Sequence, residues 1–218
     1  MTPRLLLTGF EPFGNWRVNP SWDALVLAQS QGLFTGAEVH LARLPVTWNG
    51  AYSAFEDAVR RCTPHAAVSF GLHGGMAGRE AATVYIERIA RNRDGATKPD
   101  NDGRQGGQGA ILAHAPETLS STLPLEPMRN ALRDAGRLAE FSDDAGGYLC
   151  NHLFFRGASA LQGRIPYGFV HVPPVEGMGG SLSLLQLAQA MAQLAAVVAE
   201  SVAAAGHGAA ARERKPTR

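Results

Sequence analysis

Short apolar segments that alternate with helix-like segments constrain the fold of this chain more than any other feature. Apolar runs of strand length lie at residues 5–10, 39–46, 66–70 and 168–172, and 82–92 is also strand-like. Helical periodicity begins at residue 22 and recurs over 52–61, 128–138, 150–161 and 181–205. Strands that alternate with helices imply right-handed crossovers and parallel pairing. We therefore predict an α/β fold of three layers, α/β/α, with a central, mostly parallel twisted sheet flanked by helices.

The length of the chain favours one domain. With 218 residues, 45% of them hydrophobic, the chain can fill one α/β core, whereas two domains would each be small for this class. We predict a single domain over residues 1–205 and a disordered tail over 206–218, which contain no large apolar side chain. Residues 93–109 lack periodicity, and we interpret them as a mobile loop and a hypothetical lid.

Charge and cysteine content exclude several classes of partner. The formal net charge is +1 and the basic residues are scattered, so neither nucleic acid nor an acidic membrane surface is expected as a partner. No apolar run reaches the length of a membrane span. The two cysteines cannot form a disulfide framework or a four-thiolate zinc site. We expect a cytoplasmic protein with reduced thiols and no metal.

Cys150 is the better candidate for a nucleophile of the two cysteines. It opens an amphipathic segment at a predicted helix start, where free backbone N–H groups and the helix dipole favour a thiolate. The alternative is that Cys150 is a small buried apolar residue, which is common for free cysteine. Cys62 lies late in a predicted helix after two arginines and is the weaker candidate.

A cysteine nucleophile needs a base, and His171 is the best placed of seven histidines. It lies near the carboxyl end of a buried strand, where parallel α/β sheets bind their ligands. His152 is two residues from Cys150, so on a helix it faces elsewhere. Glu80 and Glu87 are candidates for the carboxylate that orients the imidazole. Position alone leaves an alternative open for each residue. His171 could be a structural histidine whose hydrogen bonds are met at the strand end, and Glu87 could form an ion pair with Arg88 or lie at the surface.

The other histidines, including His73, read as surface or loop residues by context. Glycines 71, 74, 75 and 78 could cradle an anion, but their spacing matches neither the dinucleotide fingerprint nor the P-loop. A tight turn after the strand at 66–70 is therefore the favoured interpretation of this glycine-rich segment.

Six segments, in the same order, resemble pyroglutamyl peptidase I, the cysteine peptidase family also called pyrrolidone-carboxylate peptidase. They are Gly-Phe-Glu-Pro-Phe-Gly at 9–14, Asn-Pro-Ser-Trp at 19–22, Glu-Arg-Ile-Ala with Asn at 87–92, Pro-Asp-Asn at 99–101, Gly-Tyr-Leu-Cys-Asn-His-Leu-Phe at 147–154 and Gly-Phe-Val-His-Val-Pro at 168–173. The resemblance runs from residue 4 to about residue 200. Each segment is weak by itself, and their shared order makes chance similarity a poor explanation.

The resemblance implies a thiol-dependent exopeptidase that removes an N-terminal pyroglutamyl residue from peptides without a metal or cofactor. It implies a catalytic triad of Cys150, His171 and Glu87, and a homo-oligomer, either a tetramer or a dimer. It also implies that Phe10 and Phe13 enclose the lactam ring, with Asn19 nearby. Aromatic faces suit this ligand because pyroglutamate is small, flat and uncharged.

The chain departs from the family pattern at three places. The interval between the glycine-rich turn and Glu87 is about five residues longer than is typical, and Leu72 stands where the family has Gln. Thr97 and Lys98 stand where the family has an Arg that assists the oxyanion, so Lys98 or Arg93 is expected to substitute. We predict that Leu72, Thr97 and Lys98 contact the substrate. The interval from Cys150 to His171 is about three residues shorter than usual.

Three rival functions remain open from the sequence. One is another cysteine hydrolase acting on a small amide, such as a glutamine amidase, although Phe10 and Phe13 argue against a charged open-chain substrate. A second is a catalytically impaired member that acts as a binding protein. The third is a nucleoside-phosphorylase-like transferase, for which the sequence offers no basic phosphate cluster.

Overall fold

A computed structural model of the protein describes residues 2–74 and 82–213, and within them strands alternate with helices. The strands are β1 (Arg4–Phe10), β2 (Glu38–Leu44), β3 (Ala66–Leu72), β4 (Val84–Glu87), β5 (Ile89–Arg91), β6 (Thr118–Ser120), β7 (Ala139–Ser142) and β8 (Tyr167–Val172). The helices are α1 (Pro20–Ser30), α2 (Gly50–Cys62), α3 (Leu125–Asp134), α4 (Leu149–Leu161) and α5 (Leu184–Glu213). This order confirms the predicted α/β class.

Six of the strands form one sheet in the order β2-β1-β3-β8-β4-β7. Every pair in it is parallel except β4 with β8, which is antiparallel. Strands β5 and β6 form a separate antiparallel pair. The sheet is therefore mostly parallel, as predicted. Its one antiparallel pair joins β4, which ends at Glu87, to β8, which carries His171.

The side chains of β1 show why helices cover both faces of the sheet. Leu5 and Leu7 are buried in a core with α1, α3 and α5, whereas Leu6 points into a second core with α2 and α4. Each such fully buried leucine contributes about 1.5–3 kcal/mol of transfer free energy. The alternation along one strand thus accounts for the three layers.

Two segments differ from their predicted structure. The expected strand at 82–92 is split at Arg88, whose exposed side chain pairs with Asp143, so that β4 and β5 join different sheets. The expected helix at 128–138 instead begins at Leu125 and ends at Asp134. Gly136 follows with a φ of 73°, a left-handed conformation that ends helices, and the chain then forms β7.

The closing helix α5 is the longest element of the described chain. Its segment Leu184–Gly206 has the length and apolar composition that could cross a membrane. Leu187, Met191 and Leu194 are buried in the core beside α1, which accounts for much of that apolar composition. The helix continues to Glu213, beyond the expected end at residue 205. Residues 214–218 of the predicted tail lie outside the described part of the chain.

Candidate active site

Cys150 lies in the first turn of α4. No side chain caps this helix, and the residue before it, Tyr148 at the N-cap, has extended backbone angles. The backbone N–H groups of a first turn have no acceptor within their own helix, so they can bind an anion beside the thiol. The opposite wall is Gly71 of β3, where a Cβ atom would lie only 2.9 Å from Cys150 Sγ and 2.7 Å from Phe169 Cζ. Glycine at this position gives the thiol its space.

His171 and Glu87 meet through the antiparallel pairing of β8 with β4. Tyr85 is the register partner of His171, so Glu87, two residues further along β4, lies on the same face as Tyr85 near the histidine. His171 Nδ1 lies 2.7 Å from Glu87 Oε1, and both side chains are buried. Cys150 lies close enough to His171 to raise the pKa of the imidazole, and both side chains line the same cavity. The structure therefore brings Cys150, His171 and Glu87 together, as the sequence predicted.

The electrostatics of this group favour a protonated imidazole. Burial alone lowers the pKa of His171, but the charge and hydrogen bond of Cys150, followed by those of Glu87, raise that pKa by more. The net effect is a His171 pKa above its ordinary value of 6.5. Glu87 Oε2 is buried without a hydrogen-bond partner among residues 2–74 and 82–213. Within the described chain, the imidazolium of His171 is therefore the main group that stabilises the buried Glu87 carboxylate.

A cavity of about 590 Å³ opens beside Cys150 at the carboxyl ends of β1, β3 and β8. This size and position are typical of a ligand site in a parallel sheet. Its walls are mostly apolar and aromatic: Phe10, Phe13, Trp16, Asn19, Val46, Leu72, His73, Gly74, Ala96, Lys98, Asp144, Ala145, Gly146, Tyr148, Leu149, Cys150 and His171. A small uncharged ligand fits such walls better than an extended charged one.

Both predicted phenylalanines line the cavity. Phe10 is buried at the end of β1, with its ring centroid 6.4 Å from that of Phe169. Phe13 is half-buried, and the Lys98 ammonium lies 4.4 Å from its ring centroid. Two aromatic faces are therefore available to a flat ligand.

The other predicted substrate residues have different surroundings. Asn19 lines the cavity, but its side-chain amide is occupied: Oδ1 accepts from the backbone and hydroxyl of Ser21, and Nδ2 donates to the Glu11 carbonyl. Its observed role is to cap α1 and fix the preceding loop. Leu72 is buried in the cavity wall. Thr97 is exposed and does not line the cavity, so its contact with the substrate stays a prediction.

The structure distinguishes the two cations expected near the reacting carbonyl. Lys98 lines the cavity, whereas Arg93 does not and instead lies 3.8 Å from Asp144. The path of the loop explains the difference. The backbone N–H groups of Gly95 and Ala96 donate to the Gly147 carbonyl, which turns the residues after Ala96 towards the start of α4. Of the two, Lys98 alone is positioned to act within the cavity.

His73 lies in the loop directly after β3, and it lines the cavity, which its sequence context did not indicate. Its ring lies edge-on to that of His171, with the centroids 5.0 Å apart. The available signal was its position directly after β3, a buried strand whose carboxyl end faces the cavity. Gly75, Gly78 and Glu80, also considered in the sequence analysis, lie outside the described residues.

His152 faces away from Cys150, as predicted, and anchors the segment over residues 93–109. Its Nδ1 lies 2.8 Å from Asp94 Oδ2, and its ring packs edge-on against Trp48. Asp100 accepts from the backbone N–H groups of Trp48, Asp102 and Arg104. Although burial raises the pKa of Asp100, these hydrogen bonds outweigh it and lower the pKa overall. The mobility of this loop stays a prediction.

Tyr148 adds a polar contact that the sequence did not indicate. Its hydroxyl donates to the Pro99 carbonyl over 3.0 Å and so ties the loop to the start of α4. Burial raises the pKa of Tyr148 to about 12, which keeps this donor protonated at neutral pH. The loop and the helix that carries Cys150 are thereby linked next to the cavity.

Neither the second cysteine nor the described acidic and histidine side chains form a second reactive site. Cys62 is a half-buried free thiol at the end of α2, and burial raises its pKa, so it is a poor nucleophile at neutral pH. Among the described residues, no group of three or more His, Cys, Asp or Glu side chains is arranged to hold a metal ion. Cys150 is the cysteine whose surroundings suit covalent chemistry.

The fold and the site define a three-layer α/β protein with the side chains of a cysteine hydrolase. The sequence model of the pyroglutamyl peptidase family matches residues 3–202. The chain therefore belongs to the pyroglutamyl peptidase family, whose members are thiol-dependent hydrolases.

Individual relatives agree with this assignment. The pyrrolidone-carboxylate peptidase of Aliivibrio fischeri is 32% identical over 202 residues, covering 91% of this chain and 92% of the relative. That of Gloeobacter violaceus is 39% identical over 173 residues, covering 78% and 81%. The crystal structure of Bacillus amyloliquefaciens pyroglutamyl peptidase I superposes with a TM-score of 0.82 at 28% identity, covering 91% of this chain and 97% of that one.

Proposed function

We propose that this protein is a cysteine exopeptidase that hydrolyses the bond after an N-terminal pyroglutamyl residue. The observation that carries the proposal is the contact of Cys150 with His171, itself bonded to Glu87, at the wall of an apolar cavity in a member of this family. Cys150 is the proposed nucleophile, His171 the general base and acid, and Glu87 the carboxylate that holds the imidazole. Neither a metal nor a cofactor takes part in the proposed reaction.

The cavity walls support the proposed substrate. Phe10 and Phe13 offer aromatic faces to the uncharged lactam ring, and Leu72 adds an apolar surface. A free α-amine or an open amide side chain would lose hydration in such a cavity, and the carboxylate in its described wall, Asp144, already faces Arg91 and Arg93. Pyroglutamate avoids that cost because its α-nitrogen is part of the lactam.

The reaction proceeds in two halves. The Cys150 thiolate attacks the carbonyl carbon that joins pyroglutamate to the next residue, and N–H groups at the start of α4 stabilise the oxyanion. His171 protonates the leaving amine, the C–N bond breaks, and a thioester forms. Water then loses a proton to His171 and attacks the thioester, the C–S bond breaks, and pyroglutamate is released with the thiolate–imidazolium pair restored.

Assembly and location are part of the same proposal. Val26 on α1 and Leu185 on α5 are large apolar residues that are exposed on helices packed against each other, which supports a homo-oligomer, a tetramer or a dimer. The free thiols of Cys62 and Cys150 are consistent with a reducing, cytoplasmic location. Peptides with an N-terminal pyroglutamyl residue are the proposed partners, and neither nucleic acid nor a membrane is proposed.

The test is release of aminomethylcoumarin from its pyroglutamyl amide, with the prolyl and alanyl amides as controls. Wild-type protein is expected to cleave the pyroglutamyl amide and neither control. Cys150→Ala is expected to lose at least about 10⁴-fold in kcat/KM because the covalent step is removed, whereas Cys62→Ala should retain activity. Cleavage by a folded Cys150→Ala variant would refute the proposed mechanism.

A further inference from the structure

Lys98 places a positive charge in the cavity wall. Its ammonium lies 4.4 Å from the ring centroid of Phe13 and 5.9 Å from that of Tyr148. Both rings attract a cation through their faces, so the long side chain has a preferred position. Gly14 adjoins the ammonium without crowding it, since even a Cβ atom there would lie at an ordinary contact distance of 3.5 Å from Lys98 Nζ. The ammonium is thereby held beside the proposed lactam site.

No carboxylate of the described residues balances the charge of Lys98. Among residues 2–74 and 82–213, no carboxylate lies within ion-pair distance of Lys98 Nζ. Asp144 also lines the cavity, but its carboxylate lies 4.0 Å from Arg91 Nε and 3.8 Å from Arg93 Nη2. The acidic wall residue is thus offset by arginines, while the basic one is free to attract a ligand carboxylate.

The identity of the residue fits this role. Of 20 basic residues, Lys98 and Lys215 are the only lysines, so the chain uses arginine nearly everywhere else. Arginine prefers fixed, bidentate ion pairs, whereas lysine is a compact charge on a flexible stem that can follow a variable partner. A mobile cation is suited to side chains whose position changes from one peptide to the next.

We infer that Lys98 determines specificity by favouring peptides that carry a carboxylate in the first residue after the pyroglutamyl group. The inference rests on the proposed function. The lactam occupies the cavity, so the leaving peptide must begin at the scissile bond next to Cys150 and run out past the cavity wall. Lys98 contacts the proposed lactam wall at Phe13 and the N-cap of α4 at Tyr148, and it is exposed towards solvent. An acidic side chain is attracted there and a basic one repelled.

The test compares three peptides that differ only at the residue after pyroglutamate, which is Glu, Gln or Lys. At low ionic strength the wild-type protein is expected to prefer the glutamyl peptide over the lysyl peptide by about fivefold in kcat/KM, because exposed charge pairs are modest in strength. Lys98→Met should bring this ratio to within about twofold of one, and Lys98→Arg should retain it. Added salt should shrink the wild-type ratio.

Arg61→Met is the matched control, since it removes one exposed positive charge at the end of α2, away from the cavity. It should keep the wild-type ratio. A ratio unchanged by Lys98→Met, or an equal loss on all three peptides, would overturn the inference and assign Lys98 to the reacting carbonyl instead. Failure of wild-type protein to cleave any of the peptides would overturn the proposed function itself, and this inference with it.

Discussion

The described chain contains two buried histidine–carboxylate pairs of nearly the same geometry. His171 Nδ1 lies 2.7 Å from Glu87 Oε1, and His152 Nδ1 lies 2.8 Å from Asp94 Oδ2. The pairs differ in their other neighbours. His171 has Cys150 beside it in the cavity wall, and the charge of that residue raises the pKa of the imidazole, whereas His152 Nε2 is buried with no hydrogen-bond partner in the described residues.

A bonded histidine and carboxylate do not by themselves define a catalytic pair. What matters is whether the free ring nitrogen reaches a nucleophile at a cavity. His171 does so from a strand end. His152 lies on α4, where it anchors the backbone around Asp94, which also bonds to Gly109 across the base of the loop. One pair is suited to proton transfer, and the other holds a loop against the helix of Cys150.

The largest expected difference between the pairs is in turnover. His171→Gln should lower kcat/KM for the pyroglutamyl coumarin amide by about 10³-fold or more, because it removes the general base and acid. His152→Gln should lower it by less than about tenfold, because no proton passes through that ring. Circular dichroism of both variants controls for folding. Equal losses in two folded variants would show that the pairs are not functionally distinct.

Neutralising the two carboxylates should also affect turnover unequally, with the larger loss of kcat at Glu87, but the difference should be smaller than between the histidines. Glu87→Gln keeps the shape of the side chain but no longer stabilises the imidazolium, so kcat should fall by about 10²–10³-fold with little change in KM. Asp94→Asn is the matched neutral substitution in the other pair and should cost less than about tenfold in kcat. Wild-type kcat in Glu87→Gln would contradict the orienting role.

For the stability of the fold, in contrast to turnover, the His152–Asp94 pair should matter more than the His171–Glu87 pair. Asp94→Ala leaves His152 Nδ1 buried without its acceptor and removes the side-chain contact between the loop and α4, while the backbone bonds to Gly109 stay. The free energy of unfolding should therefore fall by about 1–3 kcal/mol. Thr97→Ala changes an exposed residue of the same loop and should stay within about 0.5 kcal/mol of wild type. Urea denaturation measures both. An unchanged midpoint for Asp94→Ala would mean that the His152 contact does not anchor the loop.

The titration of His171 provides the finest test. Its pKa is raised chiefly by Cys150, against the opposing effect of burial, so the imidazole signal should titrate at higher pH in wild type than in Cys150→Ala. A raised pKa stabilises the folded state fully below the ordinary value of 6.5 and loses this effect as pH rises through the folded value. NMR of labelled histidine measures the shift. Identical titration in the two proteins would contradict the Cys150–His171 coupling.

Much of the fold was predictable because the spacing of apolar residues along the chain is a local signal for strands and helices. The runs at β1, β3 and β8 are buried on both faces, and such runs are readable without any partner. The break at Arg88 and the short strand β7 were not, because they depend on pairing between distant segments. The antiparallel placement of β4 beside β8 is likewise a property of the whole sheet.

The site followed the same division. Cys150 and His171 were indicated by a helix start and a strand end, and Glu87 by a charge in an apolar run. His73 was missed because the sequence does not tell which loop residues turn inward. Thr97 and Lys98 were both expected at the cavity through a resemblance in a loop, yet contacts between that loop and α4 direct only Lys98 inward. Side-chain direction in an irregular loop depends on such distant contacts.

The most direct test of the account is the rate of alkylation of each cysteine by iodoacetamide at neutral pH, followed by mass spectrometry. Cys150 should react faster than Cys62, whose thiol pKa is raised by burial. His171→Gln should slow Cys150, whereas His152→Gln should leave its rate near that of wild type, and free pyroglutamate should protect Cys150 alone. Faster reaction at Cys62, or equal slowing by both histidine variants, would contradict the assignment of Cys150 and His171 as the reacting pair.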